Sequence, residues 1–285
     1  MPANEIKHWS ISLNDKLKQA VDFIKQQTEI QAQACIILGS GLGAFADVLE
    51  KKVKIPTAGI PHYPKSTVEG HEGFLVFGFH KGIPLMAVQG RTHFYEGYPI
   101  QDVTFVVRIA HALGINMLMV TNAAGGINPR FHPGDLMLIT DQVNYLFNSP
   151  LMGKMEYGEP RFPDMSNAYS AEYFEQIEKI ALQRNIALKR GVLWVSSGPS
   201  YETAAEVQMI RKFGGDAGSM STAPEVIAAQ HAGMRVIGIS CITNYATGIS
   251  SQKLSHEEVT ETANQVKEKF LSLVRGIIEE IFSSL

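Results

Sequence analysis

Cys35-Ile36-Ile37-Leu38-Gly39-Ser40-Gly41-Leu42-Gly43 sets a short apolar run against a turn with glycine at alternate positions. Such a run, bounded by turn residues, reads as a buried strand that delivers a loop at its end. Working outward, Leu13, Leu17, Val21 and Ile24 recur at helical spacing upstream. Downstream, Phe74 to Phe79 and Pro84 to Gln89 flank His80-Lys81-Gly82 as a hairpin. Val103 to Leu113 reads as a helix, Met117 to Thr121 as a buried strand ending at Asn122-Ala123-Ala124-Gly125-Gly126, and Leu136 to Thr140 as another strand. Helices are expected at Ala171 to Arg184, Thr203 to Phe213 and Pro224 to Ala232, with strands at Val192 to Ser196 and Val236 to Cys241. Glu257 to Ile281 reads as one long closing helix. Asn148 to Ser166, rich in Pro, Gly and Met and without periodicity, reads as a long loop kept for function or for contact with a partner. Helices and strands alternate with no linker or change of composition, so residues 1–285 read as one mixed α/β domain.

The 285 residues, 45% hydrophobic and 19% charged, are enough for a sizeable core. A net charge of −3, with both signs mixed along the chain, argues against a nucleic-acid groove or a polybasic membrane surface. A small anion needs only a few local donors and stays open. Cys35 and Cys241 sit in apolar runs and read as buried, reduced thiols, which fits a cytoplasmic location. The first eight residues lack the apolar centre of a signal peptide, and no stretch is suited to span a bilayer.

Four short polar stretches follow apolar strands: Gly39-Ser40-Gly41, Gly90-Arg91-Thr92-His93, Asn122 to Gly126, and Thr243-Asn244. In open α/β sheets the carboxyl ends of strands present loops to one crevice, so these pieces are expected to share a site. The Gly39 turn could hold an anion on backbone N–H groups and the Ser40 hydroxyl, or could be a plain strand-to-helix turn. Gly39, Gly41 and Ala44 also mimic a dinucleotide fingerprint. The ribose-binding acid expected about 20 residues beyond such a turn is missing from Pro56 to Pro61, which disfavours a dehydrogenase.

Arg91 and His93 lie two apart and share a face in an extended segment, where a guanidinium fork and an imidazole suit a tetrahedral oxyanion. Alone the pair would be ordinary surface decoration; Tyr95 and Glu96 follow it in an aromatic turn. Thr222 with Glu225 fits a capping box, with Pro224 near the first helical position, and a helix start there could also receive an anion. Thr203 and Glu206 repeat the capping pattern just after Glu202, itself readable as a solvated turn residue. His256-Glu257-Glu258 lacks the second histidine of a zinc helix, no Cys/His cluster has ligand spacing, and no G-x-S-x-G elbow occurs. No metal site is expected.

Six blocks together resemble one family. Leu38 to Gly43, Gly90 to Tyr98, Thr121 to Gly126, Gly198 to Thr203, Met220 to Glu225 and Ile242 to Asn244 are similar, in order and rough spacing, to the low-molecular-mass, trimeric purine nucleoside phosphorylases. Tyr201 and Tyr245 stand where animal members carry phenylalanine and lysine, and Tyr245 to Ile249 resembles the bacterial branch. Ser219 replaces a usual glycine.

The resemblance implies a single α/β domain whose mixed, partly barrel-like central sheet is surrounded by helices. It implies a homotrimer, with no organic cofactor or metal and inorganic phosphate as co-substrate. Phosphate would rest on Ser40, Arg91, His93, the backbone at Ala124, Ser221, and His71 on a mobile loop. Tyr95, Met220 and His256 would contact ribose, and Phe162 would reach into the neighbouring subunit's site. Tyr201 would pack on the purine, while Glu202 and Asn244 read its edge and, with His93, serve catalysis. The implied reaction is phosphorolysis of 6-oxopurine (deoxy)ribonucleosides, inosine and guanosine, in purine salvage. An asparagine donates to a 6-oxo group where an aspartate would accept from a 6-amino group, which separates this pattern from methylthioadenosine phosphorylases. That enzyme class and a nucleoside-binding protein without turnover are the alternative readings.

Overall fold

A computed structural model of the chain describes residues 12–68, 73–154, 160–250 and 256–285, with side chains from 261 onward in the last segment. The first half contains helices α1 (Leu13–Gln27), α2 (Ala44–Asp47), α3 (Ile100–Val103) and α4 (Phe105–Ala112). Its strands are β1 (Ala34–Leu38), β2 (Glu50–Pro56), β3 (Phe74–His80), β4 (Ile83–Gln89), β5 (Met117–Gly126) and β6 (Leu136–Asn144). The second half adds α5 (Phe174–Gln183), β7 (Leu188–Val195), α6 (Ala204–Lys212), β8 (Ala217–Ser219), α7 (Ala223–His231), β9 (Arg235–Tyr245), α8 (His256–Gln265) and α9 (Lys267–Glu280).

The strands lie in the order β2-β3-β4-β1-β5-β8-β7-β6-β9, and β5 pairs with β9 as well. That extra pairing closes β5, β8, β7, β6 and β9 into a small barrel. The strands β1, β4, β3 and β2 extend from it as an open wing. The expectation of a mixed, partly barrel-like sheet among helices holds.

Side-chain alternation explains the layers. Cys35, Ile37, Met86, Val88, Leu118 and Val120 face one cluster, packed with Ala20, Ile24, Val106 and Val226 of α1, α4 and α7. Their neighbours Ile36, Leu38, Leu85, Ala87, Met117 and Met119 face the other cluster, with Ile177, Ile180, Phe270 and Val274 of α5 and α9. Successive residues of a strand point to opposite faces, so a strand covered on both sides must be apolar throughout. This is why Ala34–Leu38 is continuously buried. Helix α1 is held at its start by Ser12, whose hydroxyl accepts from the Asp15 N–H at 3.1 Å.

The β3–β4 hairpin turns on Lys81 and Gly82, whose φ values of 49° and 83° fit a two-residue type I′ turn. Gly39 has a packing reason. A Cβ there would lie 2.7 Å from Asn122 Cα and 2.9 Å from the Thr121 carbonyl, so only glycine lets β1 leave the sheet this close to β5. Its N–H donates to Thr121 Oγ1 at 3.0 Å, and that hydroxyl donates to the Ile37 carbonyl at 3.0 Å.

Several boundaries differ from the sequence reading. The single closing helix is two: Val266, at φ −96° and ψ 3°, breaks it. The halves serve different surfaces, since α8 packs on β9 and α9 on α5. Strand β5 runs on through Asn122–Gly126 because those residues pair with β9 and, at the end, with β8. The stretch Val103 to Leu113 is interrupted at Thr104, between α3 and α4. Strand β2, absent from the sequence reading, is an edge strand whose charged residues are exposed, with Ile55 its buried member. Cys35 and Cys241 are unpaired and fully buried on β1 and β9. Burial raises both thiols, Cys241 to about 12. Among the described residues, no helix is long and apolar enough to cross a membrane.

Candidate active site

Strands β4, β1, β5 and β9 are mutually parallel neighbours, so their carboxyl ends open on one edge of the sheet. The polar stretches after them therefore meet. Together with the residues after β7 and β8 they enclose a cleft of about 770 Å3, counted to its open mouth. Ser40, Arg91, His93, Ala124 and Ser221 line it, as do Tyr95 and Met220, and Tyr201, Glu202 and Asn244. Phe162 does not: it stands 88% exposed on the long loop, with Arg161 donating to the Leu151 and Gly153 carbonyls at 3.1 and 2.9 Å. His71 lies outside the described residues, and so does the side chain of His256, which opens α8.

One end of the cleft is rich in donors. Arg91 is buried; its Nη1 donates to Ser221 Oγ at 3.1 Å and to the Thr121 carbonyl at 2.9 Å. Its Nε donates to Glu225 Oε1 at 2.8 Å, an ion pair with both side chains almost wholly out of solvent. This overturns the capping box expected for Thr222 and Glu225. Thr222, at φ 90°, makes no side-chain cap, and its hydroxyl accepts instead from Asn122 Nδ2 at 2.9 Å. A buried guanidinium requires a carboxylate far more than a helix start requires a cap, so Glu225 turns inward. The Thr203–Glu206 box forms as expected: Thr203 Oγ1 accepts from the Glu206 N–H at 3.3 Å, and Glu206 accepts from the Thr203 N–H at 2.7 Å.

His93 stacks on Tyr95 with ring centres 4.7 Å apart. Glu96 reaches back to accept from the His93 N–H at 2.6 Å, lies 3.4 Å from His93 Nδ1, and accepts from Thr67 Oγ1 at 2.8 Å. Burial would raise the Glu96 carboxyl, but the hydrogen bonds from His93 and Thr67 outweigh it and hold it at about 2. Burial lowers the His93 imidazole, with help from the Arg91 charge, against the opposing pull of Glu96. Burial, followed by the Glu96 charge, pushes the Tyr95 phenol up to about 12.

The other end is built on a pair of glycines. Gly125 of β5 and Gly218 of β8 are cross-strand partners. A Cβ on the first would stand 3.2 Å from Asn244 Nδ2, and one on the second 3.7 Å from Glu202 Oε1. Asn244 and Glu202 thus stand over adjacent positions of one floor. Register explains how Asn244 comes to face inward. Ala124 pairs with Ile242 but Gly125 pairs with Asn244, leaving Thr243 as an extra residue on β9. Such a bulge re-aims side chains, so the consecutive Thr243 and Asn244 both line the cleft. The amide is oriented: Nδ2 donates to the Tyr245 carbonyl at 3.0 Å, and Oδ1 accepts from Thr243 Oγ1 at 2.9 Å. Ser219 fits without strain on the fold, its hydroxyl donating to the Ala123 carbonyl at 3.1 Å.

Sequence reasoning placed Thr243 in the shared crevice, as observed, but missed Glu225 and Glu96 as parts of the site. Glu225 carried a signal, an acid four residues after Ser221 on a helix start; a capping reading absorbed it.

A crevice of this kind, with clustered anion donors at one end and an amide–carboxylate pair at the other, on a barrel-closed mixed sheet, defines a class. The chain belongs to the phosphorylase superfamily, whose model matches residues 33–279. Within it, the chain is similar to purine nucleoside phosphorylases. It is 52% identical to purine nucleoside phosphorylase 1 of Bacillus subtilis, over 94% of this chain and 99% of that protein. Identity to purine nucleoside phosphorylase 1 of Geobacillus stearothermophilus is 49%, over 93% of this chain and 97% of that one. The crystal structure of Schistosoma mansoni purine nucleoside phosphorylase in complex with inosine has the same fold. It superposes with a TM-score of 0.90 at 35% identity, over 95% of this chain and 98% of that one.

Proposed function

We propose that this chain phosphorolyses 6-oxopurine ribo- and deoxyribonucleosides, such as inosine and guanosine, to the free base and α-ribose-1-phosphate or its 2-deoxy counterpart. The observation that carries the reading is the single cleft in which Arg91 and Ser221 face one end and Asn244 and Glu202 share the glycine floor of the other. Similarity to purine nucleoside phosphorylases over nearly the whole chain supports it.

In this reading phosphate sits against Ser40, Arg91, His93, the Ala124 backbone and Ser221, with His71 above it. Tyr95, Met220 and His256 hold the ribose, and Tyr201 packs on the base. Phosphate oxygen bonds to C1′ as the bond from C1′ to N9 breaks, with inversion, and the electron pair leaves with the purine. Positive charge grows on the sugar, next to the phosphate, and negative charge on the base. Asn244 meets that charge through its amide donor, and Glu202 accepts from N1–H. A well-aimed donor of this kind contributes about 3–4 kcal/mol. The migrating group needs no electron sink, so inorganic phosphate is the one co-substrate and no metal or organic cofactor takes part. The subunit works as a homotrimer in the cytoplasm, with the exposed Phe162 lent to a neighbour's site.

The test is a panel of inosine, guanosine, adenosine and methylthioadenosine, each with and without phosphate. Inosine and guanosine should be cleaved, with phosphate required and ribose-1-phosphate formed. Dominant cleavage of methylthioadenosine, or nucleoside binding without turnover, would refute the reading.

A further inference from the structure

The buried carboxylate behind Arg91 has no part in the reading above, yet it is ion-paired to the guanidinium that lines the anion end of the cleft. Given the phosphate-binding role proposed for Arg91, on which this step rests, we propose that Glu225 is the positioning residue of the phosphate site. It fixes the guanidinium by its inner edge and offsets part of its charge, so that phosphate is held by directed donors and not by an unbalanced cation.

Three observations lead there. Glu225 holds Nε, the nitrogen on the side-chain stem, at 2.8 Å, while Nη1, at the outer fork, reaches Ser221 Oγ at 3.1 Å. Ser221 and Glu225 belong to the same helix start, so one rigid element grips Arg91 from behind and also supplies a hydroxyl to the same cleft. Both partners of the ion pair are 5% exposed or less, so solvent screens the interaction little. An arginine stem has several rotatable bonds, and a two-point hold of this kind removes the entropy that phosphate would otherwise have to supply on binding.

Reach and charge are separable by substitution. Glu225→Asp keeps the charge and withdraws the carboxylate by one methylene. Glu225→Gln keeps the reach and an oxygen acceptor for Nε–H but removes the charge. The Asp variant should raise the phosphate KM about tenfold, the scale of a lost charge-assisted hydrogen bond, with little change in the nucleoside KM at saturating phosphate. The Gln variant should lower the phosphate KM, by about fivefold, because a unit of negative charge near the anion has gone. Without phosphate it should melt earlier than the parent, since it leaves a buried cation uncompensated, and it should show a larger phosphate-induced rise in Tm. That Tm response, read with phosphate alone, reports on binding even where turnover is low. An unchanged phosphate KM and Tm response in the Asp variant would overturn the proposal. So would a Gln variant whose phosphate KM rises as far as that of the Asp variant. If the parent protein itself shows no phosphate-dependent cleavage of inosine, the functional reading fails first, and the Tm comparison still judges the role of Glu225.

Discussion

Replacing Asn244 by aspartate changes two atoms' worth of chemistry and should change which purine is cleaved. Asn244 is 4% exposed, its Nδ2 donates to the Tyr245 carbonyl at 3.0 Å, and its Oδ1 accepts from Thr243 Oγ1 at 2.9 Å. The Thr243 bond survives in an aspartate. The Nδ2 position becomes an oxygen facing the Tyr245 carbonyl and, in the substrate complex, the 6-oxo group. Losing one neutral hydrogen bond removes about 1 kcal/mol, and leaving buried acceptors opposed adds about 2 kcal/mol. The sum, about 3 kcal/mol, is a fall of about 100-fold in kcat/KM for inosine. Adenosine presents a 6-amino donor to the same oxygen and should lose nothing or gain. The assay is base release from inosine and adenosine, measured in parallel at saturating phosphate and at pH well above the carboxylate range. The ratio of the two kcat/KM values should move towards adenosine by at least about 100-fold. A ratio within about threefold of the parent's would refute the account of base recognition.

Phe162→Ala removes a ring that is 88% exposed in the subunit, so subunit stability should stay within about 0.5 kcal/mol. The nucleoside KM should nevertheless rise while the phosphate KM holds; an unchanged nucleoside KM in a trimer verified by sedimentation would contradict the lent-residue reading. Acid should act through two groups in succession. The folded chain binds a proton at His93 less readily than the unfolded one, so that contribution to stability is full above 6.5 and declines as pH falls below it. Glu96 acts in the same sense in a lower window, between its ordinary 4.5 and about 2. In thermal melts across pH, His93→Gln should flatten the fall below neutrality; an unaltered slope would remove His93 as its cause.

The buried strands were legible because two-sided burial leaves an unbroken apolar run, as in Cys35 to Leu38 and Met117 to Val120. The polar ends of those strands pointed to a shared crevice for the same reason. Three things were hidden. Strand β2, an exposed charged edge, has no apolar pattern to read, and β8 is too short for one. The break at Val266 lies inside a periodicity that continues on both sides. The partner of Arg91 could not be seen because Glu225 satisfies the local rule for a capping acid, while the ion pair joins residues 134 positions apart. Local patterns report local satisfaction; a buried charge is settled by whatever the fold brings near it.

The extra residue on β9 carries a consequence for how base choice can evolve. Strands stand about 4.8 Å apart, and side chains flip with each step along the backbone. Asn244 looks into the crevice because the backbone is one residue longer there than its neighbour. Its aim is therefore set by counting residues and not by what its side chain packs against. Swapping the amide for another group rewrites selectivity in place, whereas straightening the bulge, so that Thr243 and not Asn244 paired with Gly125, would turn Asn244 to the opposite face. A single codon's worth of length, more than any particular contact, keeps Asn244 pointed into the cleft.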